Sequence, residues 1–409
     1  MSYSKLSAIS FGTNNWCLKL QPIYDRGLLV SLSSGDVQVI DWTKNVAAHT
    51  IHAHESPVND MAIINSDSKS GSIVATAAED GVKIYDLRSS ALVASLKNDK
   101  SAPALSLDSR HNLLAYGTEL SGVDAELHLY DIRSWSKPLR SLVDSHHDDV
   151  TSIKFHPSDP NVLLSGSTDG YANVYDLVQQ EEDDALHQVI NFASIHSCGW
   201  SAYNKIYTLS HMETFGIHAL NDKFEELSEP KPIDFGDIRG HWKCNYVIDV
   251  YPGFVATGKS EEGDGELRII PFQNDSVDPA SAVRIPNAHG DEVIRDVLVP
   301  TVNQELLYSC AEDGNVNIWK SDNGAINVPS EFWNYSEPMD LFKDEVPLLD
   351  MSDVTAATAD STPEPAMTHS EASKNTSKKD KKKSKKSKGS KSSKSSTKPS
   401  SRDQRFHPY

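Results

Sequence analysis

Val162-Leu163-Leu164-Ser165-Gly166-Ser167-Thr168-Asp169-Gly170-Tyr171-Ala172-Asn173-Val174-Tyr175-Asp176 is the most legible stretch of this 409-residue chain. An apolar run, a tight Asp-Gly turn and an alternating run follow one another, which is the pattern of a β-hairpin, because glycine tolerates the positive φ such a turn needs. The unit recurs. Tyr85-Asp86, Tyr130-Asp131 and Tyr175-Asp176 are spaced by 45 residues, and one further step back reaches Asp41 at the end of Asp36–Asp41. Degenerate copies follow at Phe215–Leu220 and Leu267–Phe272, and a clear one ends at Trp319, making seven. The units are therefore antiparallel sheets, and no stretch between them has the length and 3.6-residue period of a helix. The expected fold class is all-β.

Three fragments, His54-Glu55-Ser56-Pro57-Val58, His146-His147-Asp148-Asp149-Val150 and His289-Gly290-Asp291-Glu292-Val293, each precede an Asp-Gly turn and a Tyr-Asp or Trp. In this they resemble the blades of WD-repeat propellers, and with seven copies the resemblance implies a seven-bladed β-propeller. The resemblance implies buried tetrads of His, Ser or Thr, Asp and an aromatic residue: His54, Thr76, Asp80 and Tyr85; His146, Ser165, Asp169 and Tyr175; His289, Ser309, Asp313 and Trp319. Such groups are tolerated in a core only when they satisfy one another, so they are expected to fix blade geometry and to take no part in a reaction. The stretch from Tyr116-Gly117-Thr118-Glu119 through Phe155-His156-Pro157-Ser158 and Glu181-Glu182-Asp183-Asp184-Ala185-Leu186 to Gly199-Trp200-Ser201 is similar to the WD repeat-containing protein 89 family, which implies interaction more than chemistry. The family habit also places residues near Lys5 to Ser10 beside the blade that ends at Trp319, closing a ring that would otherwise expose a sheet edge.

Charge divides the chain. The net charge is -19, yet residues 374–409 hold twelve Lys and two Arg against Asp380 and Asp403, a balance of +12 that leaves -31 for the rest. The expected domains are the propeller over 1–330, an acidic Ser/Thr/Pro-rich linker over 331–373, in which Phe332, Trp333 and Tyr335 stand out, and a disordered Lys-rich tail over 374–409. Within the tail, Lys378, Lys379, Lys381, Lys382, Lys383, Lys385, Lys386 and Lys388 read as a nuclear import signal or as a weak, salt-sensitive contact for nucleic acid. The closing Arg405-Phe406-His407-Pro408-Tyr409 reads as a docking peptide or simply a terminus.

Several motifs imitate chemistry. Gly253-Phe254-Val255-Ala256-Thr257-Gly258-Lys259-Ser260 satisfies the phosphate-loop pattern, but acidic turn residues follow it where a helix should start, so Phe254 to Thr257 is expected to be the inner strand of the sixth blade. His146-His147 and the pair His52 and His54 fall short of the three or four convergent ligands a metal site needs. Glu181 to Asp184 and Asp148-Asp149 are expected in solvated loops. Cys17, Cys198, Cys244 and Cys310 are too far apart for a local disulfide framework or zinc knuckle, and neither a secretory core nor an apolar run of membrane length is present. No enzyme activity and no cofactor are expected.

Two signals point to partners. Tyr85-Asp86-Leu87-Arg88 and Tyr130-Asp131-Ile132-Arg133 resemble the signature by which some WD-repeat proteins dock on the adaptor of a cullin-type ubiquitin ligase. The preferred reading is that Arg88 and Arg133 pair with nearby loop carboxylates or cover apolar edge surface, as surface arginines routinely do. The acidic body favours basic protein partners of the ribosome-assembly or chromatin type. The expected role is a non-catalytic scaffold in the nucleus, with the nucleolus as a further compartment and the cytoplasm as second choice.

Overall fold

The computed structural model describes residues 2–23, 27–64, 71–221, 230–300, 303–326 and 328. Seven antiparallel sheets account for these residues. Blade one consists, from the axis outward, of Cys17–Ile23, Gly27–Leu32, Asp36–Asp41 and Val46–His52. Blades two to five begin with the innermost strands Asp60–Ile63, Ala104–Arg110, Val150–Phe155 and Ile195–Ala202, each followed outward by three more in chain order. Blade six runs Tyr246–Tyr251, Phe254–Lys259, Glu266–Gln273, Val283–Pro286, and the short strand Ser276–Val277 also pairs with Glu266–Gln273.

Blade seven is assembled from both ends of the ring. Ile294–Leu298, Leu306–Ala311 and Asn315–Ser321 are completed on the outside by Tyr3–Ser10, with Ala8 opposite Asn317 and Tyr3 opposite Ser321. The N-terminal residues therefore sit where the sequence places them. Phe254–Lys259 does not: it is the second strand of blade six, outside Tyr246–Tyr251, because the strand after Trp242 had no sequence signature of its own.

Apolar surface is buried between neighbouring sheets, not within one. Ala75, Val82, Ile84 and Leu96 of blade two pack on Leu107, Leu114 and Tyr116 of blade three, and Cys17, Leu28 and Val30 of blade one pack on Tyr308, Cys310 and Ile318 of blade seven. A fully buried side chain such as Ile84 contributes on the order of 2 kcal/mol. All four cysteines are buried free thiols. The residues Glu182–Ala185, expected in a loop, form one short helical turn; Glu182 accepts hydrogen bonds from Val143 N and Asp144 N at 2.8 and 3.1 Å and from the Ser145 hydroxyl. Its carboxylate thus covers the outer edge of blade three instead of facing solvent, a tertiary contact that a run of four acidic residues does not announce. No helix among the described residues is long and apolar enough to cross a membrane. The expected linker and tail, with all eight lysines of the basic run, lie outside the described residues.

Candidate functional site

The antiparallel order gives the ring two unlike faces. On one lie the turns between second and third strands together with the loops that enter each innermost strand; the innermost strands end on the other.

The three tetrads line the first face. His54 Nδ1 meets Asp80 and its Nε2 lies 2.7 Å from Thr76 Oγ1; His146 bridges Asp169 at 2.9 Å and Ser165 at 2.7 Å; His289 bridges Asp313 at 2.9 Å and Ser309 at 2.7 Å. The Asp-Gly turns that present these carboxylates need glycine: Gly81 and Gly170 have φ of +104° and +95°. The fourth member varies. Trp319 donates from Nε1 to Ser309 at 2.9 Å, whereas the Tyr175 hydroxyl reaches Ser165 only at 3.4 Å. Tyr85 leaves the group altogether and donates to the carbonyl of Ala53 at 2.9 Å, because its hydroxyl extends past Thr76.

Burial pushes the His54 pKa down against the pull of Asp80. Burial also opposes ionisation of Asp169 and Asp313, but their histidine partners hold both below the ordinary carboxylate range. Every imidazole nitrogen in the three networks is occupied, which leaves no free base. His52 is turned away from His54 and meets Asp36 in solvent, 2.7 Å away, while His147 meets Asp124 at 2.8 Å. Among the described residues no group of three or more His, Cys, Asp or Glu side chains is arranged to hold a metal ion.

Gly253 to Ser260 folds as a turn and a strand, with no helix behind it. A Cβ on Gly258 would overlap the Tyr246 ring, so this glycine makes room for packing; Lys259 is tied to Asp264 at 3.0 Å. Arg88 and Arg133 emerge on the second face, 68% and 81% exposed, and each folds back on the aspartate two residues before it, Asp86 at 2.7 Å and Asp131 at 2.5 Å. Those bonds pull both carboxyls down to about 2. Of the two readings of these arginines, the pairing with nearby carboxylates is the one formed within the chain.

A third set of polar residues escaped sequence reasoning. The innermost strands carry Asp60, Asp108, Asp249 and Asp296, and three of these reach the next blade: Asp60 accepts from Leu107 N at 2.9 Å, Asp108 from Phe155 N at 2.8 Å and Asp296 from Leu20 N at 2.8 Å. Burial raises the Asp296 pKa. Lys19 stands among them; burial disfavours its charge, but Asp60, Asp296 and Asp249 outweigh that and hold its pKa above the ordinary lysine value. The available signal was a lone Asp in each of four short apolar strands, at the start of Asp60–Ile63 and inside the other three.

The loop from blade six into blade seven meets the second turn of blade six on the first face. Gly263 N donates to Asp291 Oδ1 at 2.9 Å, which gathers Glu261, Glu262, Asp264, Asp291 and Glu292, all exposed, at one corner.

Comparison with known proteins agrees with this architecture. The family described as "WD domain, G-beta repeat" matches residues 46–86 and 136–176. Each match starts in or just before the outermost strand of one blade and ends with the third strand of the next, the same one-strand offset that closes the ring. An uncharacterized WD repeat-containing protein of Saccharomyces cerevisiae is 56% identical over 344 residues, 84% of this chain and 88% of that protein. Another of Schizosaccharomyces pombe is 31% identical over 70% of this chain and 90% of its own length. A WD repeat-containing protein 89 homolog of Dictyostelium discoideum is a more distant relative, 28% identical over 71% of this chain and 79% of its own. WD-repeat propellers are generally non-catalytic and typically bind proteins. At 56% identity over most of both chains to a relative named for these repeats, the present chain belongs to the WD-repeat family.

Proposed function

We propose that this chain is a non-catalytic scaffold of the nucleus whose carboxylate-rich turn face binds basic protein segments. The five carboxylates gathered by the Gly263–Asp291 bond carry the reading. Among the described residues Asp264 alone of the five has a cationic partner, Lys259. A field of one sign over a rigid face speeds encounter with cationic segments and selects against anionic ones.

The test is fluorescence anisotropy with a labelled Lys/Arg-rich peptide of the histone-tail type. Binding should weaken at least tenfold between 50 and 300 mM salt, on the order expected for several screened contacts, and should be lost in Glu261→Lys with Glu292→Lys. Affinity indifferent to both salt and charge reversal would remove the proposal. The nuclear address rests on Lys378 to Lys388, and alanine at Lys381, Lys382, Lys383, Lys385 and Lys386 should leave a fluorescent fusion in the cytoplasm.

A second reading, substrate receptor of a cullin-type ligase, draws on the exposure of Arg88 and Arg133. It requires that co-precipitation of the adaptor disappear in Arg88→Ala with Arg133→Ala. A third, nucleic-acid binding through the tail, requires that removal of residues 374–409 abolish retention on nucleic acid.

A further inference from the structure

On the first face, the turns of blades three, four and five carry large apolar side chains that nothing among the described residues covers. Val123 is 75% exposed and Met212 62%, and Leu120 and Tyr171 are exposed as well. Single apolar residues in solvent are ordinary on a folded protein, whereas a row of them with a polar border marks an interaction surface.

Hydrogen bonds between blades make these four a row. Leu120 N donates to Asp149 Oδ1 at 2.8 Å, which ties the turn of blade three to the loop entering blade four. In that loop His147 meets Asp124 at 2.8 Å and, through its backbone N–H, Asp169 at 3.0 Å; it therefore stands between Val123 and the turn that presents Tyr171. Phe192 N donates to the Gly170 carbonyl at 2.9 Å and His211 N to that of Ser194 at 3.0 Å, which carries the line to Met212. The turns are fixed to one another before any partner arrives, so a segment laid on them gives up only its own freedom.

The line continues past blade five. Glu213, next to Met212, accepts from Val247 N at 2.9 Å, and Asn245 Nδ2 donates to Glu261 Oε1 at 2.8 Å. The apolar arc and the carboxylate corner are thus consecutive parts of one rim around the channel that the innermost strands enclose. Residues 119–124, 147–149, 168–171, 192–194 and 211–213 contain six carboxylates, Glu119, Asp124, Asp148, Asp149, Asp169 and Glu213, and neither lysine nor arginine. An acidic segment meets repulsion there, and a purely apolar one leaves the border without counter-charge.

We propose that Leu120, Val123, Tyr171 and Met212 form the apolar half of a two-part docking surface, whose occupant is a partner-protein segment with bulky aliphatic or aromatic side chains joined to a lysine/arginine block. The inference rests on the reading of the corner as a site for basic segments and adds what selects among them. The corner attracts at long range, and the arc supplies the contacts that tell one basic segment from another.

The experiment measures anisotropy with the full-length protein and three labelled peptides: a Lys/Arg block alone, and the same block extended at its N-terminal or its C-terminal end by a stretch containing Leu and Phe. One of the extended peptides should bind at least tenfold more tightly than the block, as burial of two apolar side chains allows. That gain should survive about 300 mM salt, which screens the block. Val123→Ser with Met212→Ser, two exposed positions whose change should leave Tm unaltered, should erase the gain and leave affinity for the block as it was. Glu261→Lys with Glu292→Lys should weaken the block and spare the gain. A block that does not bind, beside an extended peptide held through Val123 and Met212, would remove the reading of the corner and support the arc. Equal affinity for block and extended peptides, or a gain that outlasts the serine substitutions, overturns the proposal, and binding of none of the three removes both readings. A dimer in sedimentation that the serine substitutions dissolve also overturns it, since the arc would then be covered by a second copy.

Discussion

Asp108 Oδ2 in blade three lies 2.8 Å from the backbone nitrogen of Phe155 in blade four. The same carboxylate accepts from Ser109 N at 2.9 Å, so one side chain closes a hydrogen-bond account in two sheets at once. Removing it leaves two strand N–H groups unpaired next to the channel. Asp108→Ala should lower stability by about 1–3 kcal/mol, seen as a fall in Tm, whereas Asp183→Ala on the exposed helical turn should leave Tm within a degree or two. Equal behaviour of the two variants would remove the interblade role.

The tetrads should differ in worth. Ser309 faces both His289 Nε2 at 2.7 Å and Trp319 Nε1 at 2.9 Å, so Ser309→Ala strands two groups. Ser165 has the same contact with His146, 2.7 Å, but only a 3.4 Å approach from Tyr175. Ser309→Ala should therefore cost about 1 kcal/mol more than Ser165→Ala, the net worth of one buried hydrogen bond. Paired urea titrations measure the difference.

Acid should weaken the ring through His156. Its Nε2–H donates to the Tyr203 carbonyl at 2.6 Å while Nδ1 accepts from Ser158 N at 3.1 Å and Asp159 N at 2.9 Å, so a second proton has nowhere to go. Burial carries its pKa from 6.5 down to about 4. Because the unfolded chain takes up the proton first, this contribution is intact above pH 6.5 and is lost as pH falls toward 4, by about 3 kcal/mol at full loss. Glu213, whose pKa burial lifts to about 7, works in the opposite sense, gaining stability as pH falls below 7. His156→Gln, which shares Glu213 with the wild type, should gain stability relative to the wild type as pH falls from 6.5 to 5, by about 1.4 kcal/mol per pH unit; a difference between the two proteins that does not change with pH would count against the assignment.

Deleting residues 1–12 removes Tyr3–Ser10 from blade seven and bares Asn315–Ser321, whose Val316 and Ile318 sit in the core shared with blade one. Tm should fall by several degrees or more and the protein should begin to self-associate through the open edge. Calorimetry with light scattering detects both, and an unaltered Tm would argue against ring closure as a source of stability.

Much of this was legible because the repeat is marked at its most constrained points. Asp80-Gly81, Asp169-Gly170 and Asp313-Gly314 announce turns where φ must be positive, and the histidines upstream of them are identifiable by spacing. Blades five and six carried no such marks; their strands are held by contacts among Phe215, Trp242 and Phe272, which depend on bulk and leave no pattern of period two. Asp108 and Asp296 were passed over for a related reason. A single carboxylate in a short strand looks like a solvent-facing position, and only the ring brings a backbone donor from 47 residues downstream, or from the other end of the chain, to meet it.

Blade seven also sets a clock for synthesis. Tyr3–Ser10 leaves the ribosome before the rest of the ring, yet its partner Asn315–Ser321 is made more than three hundred residues later. At ordinary rates of translation that is a wait of roughly 15 to 60 s. For that interval a finished strand has nothing to pair with, so the nascent chain must be shielded by a chaperone or by its own unfinished blades until the circle can shut.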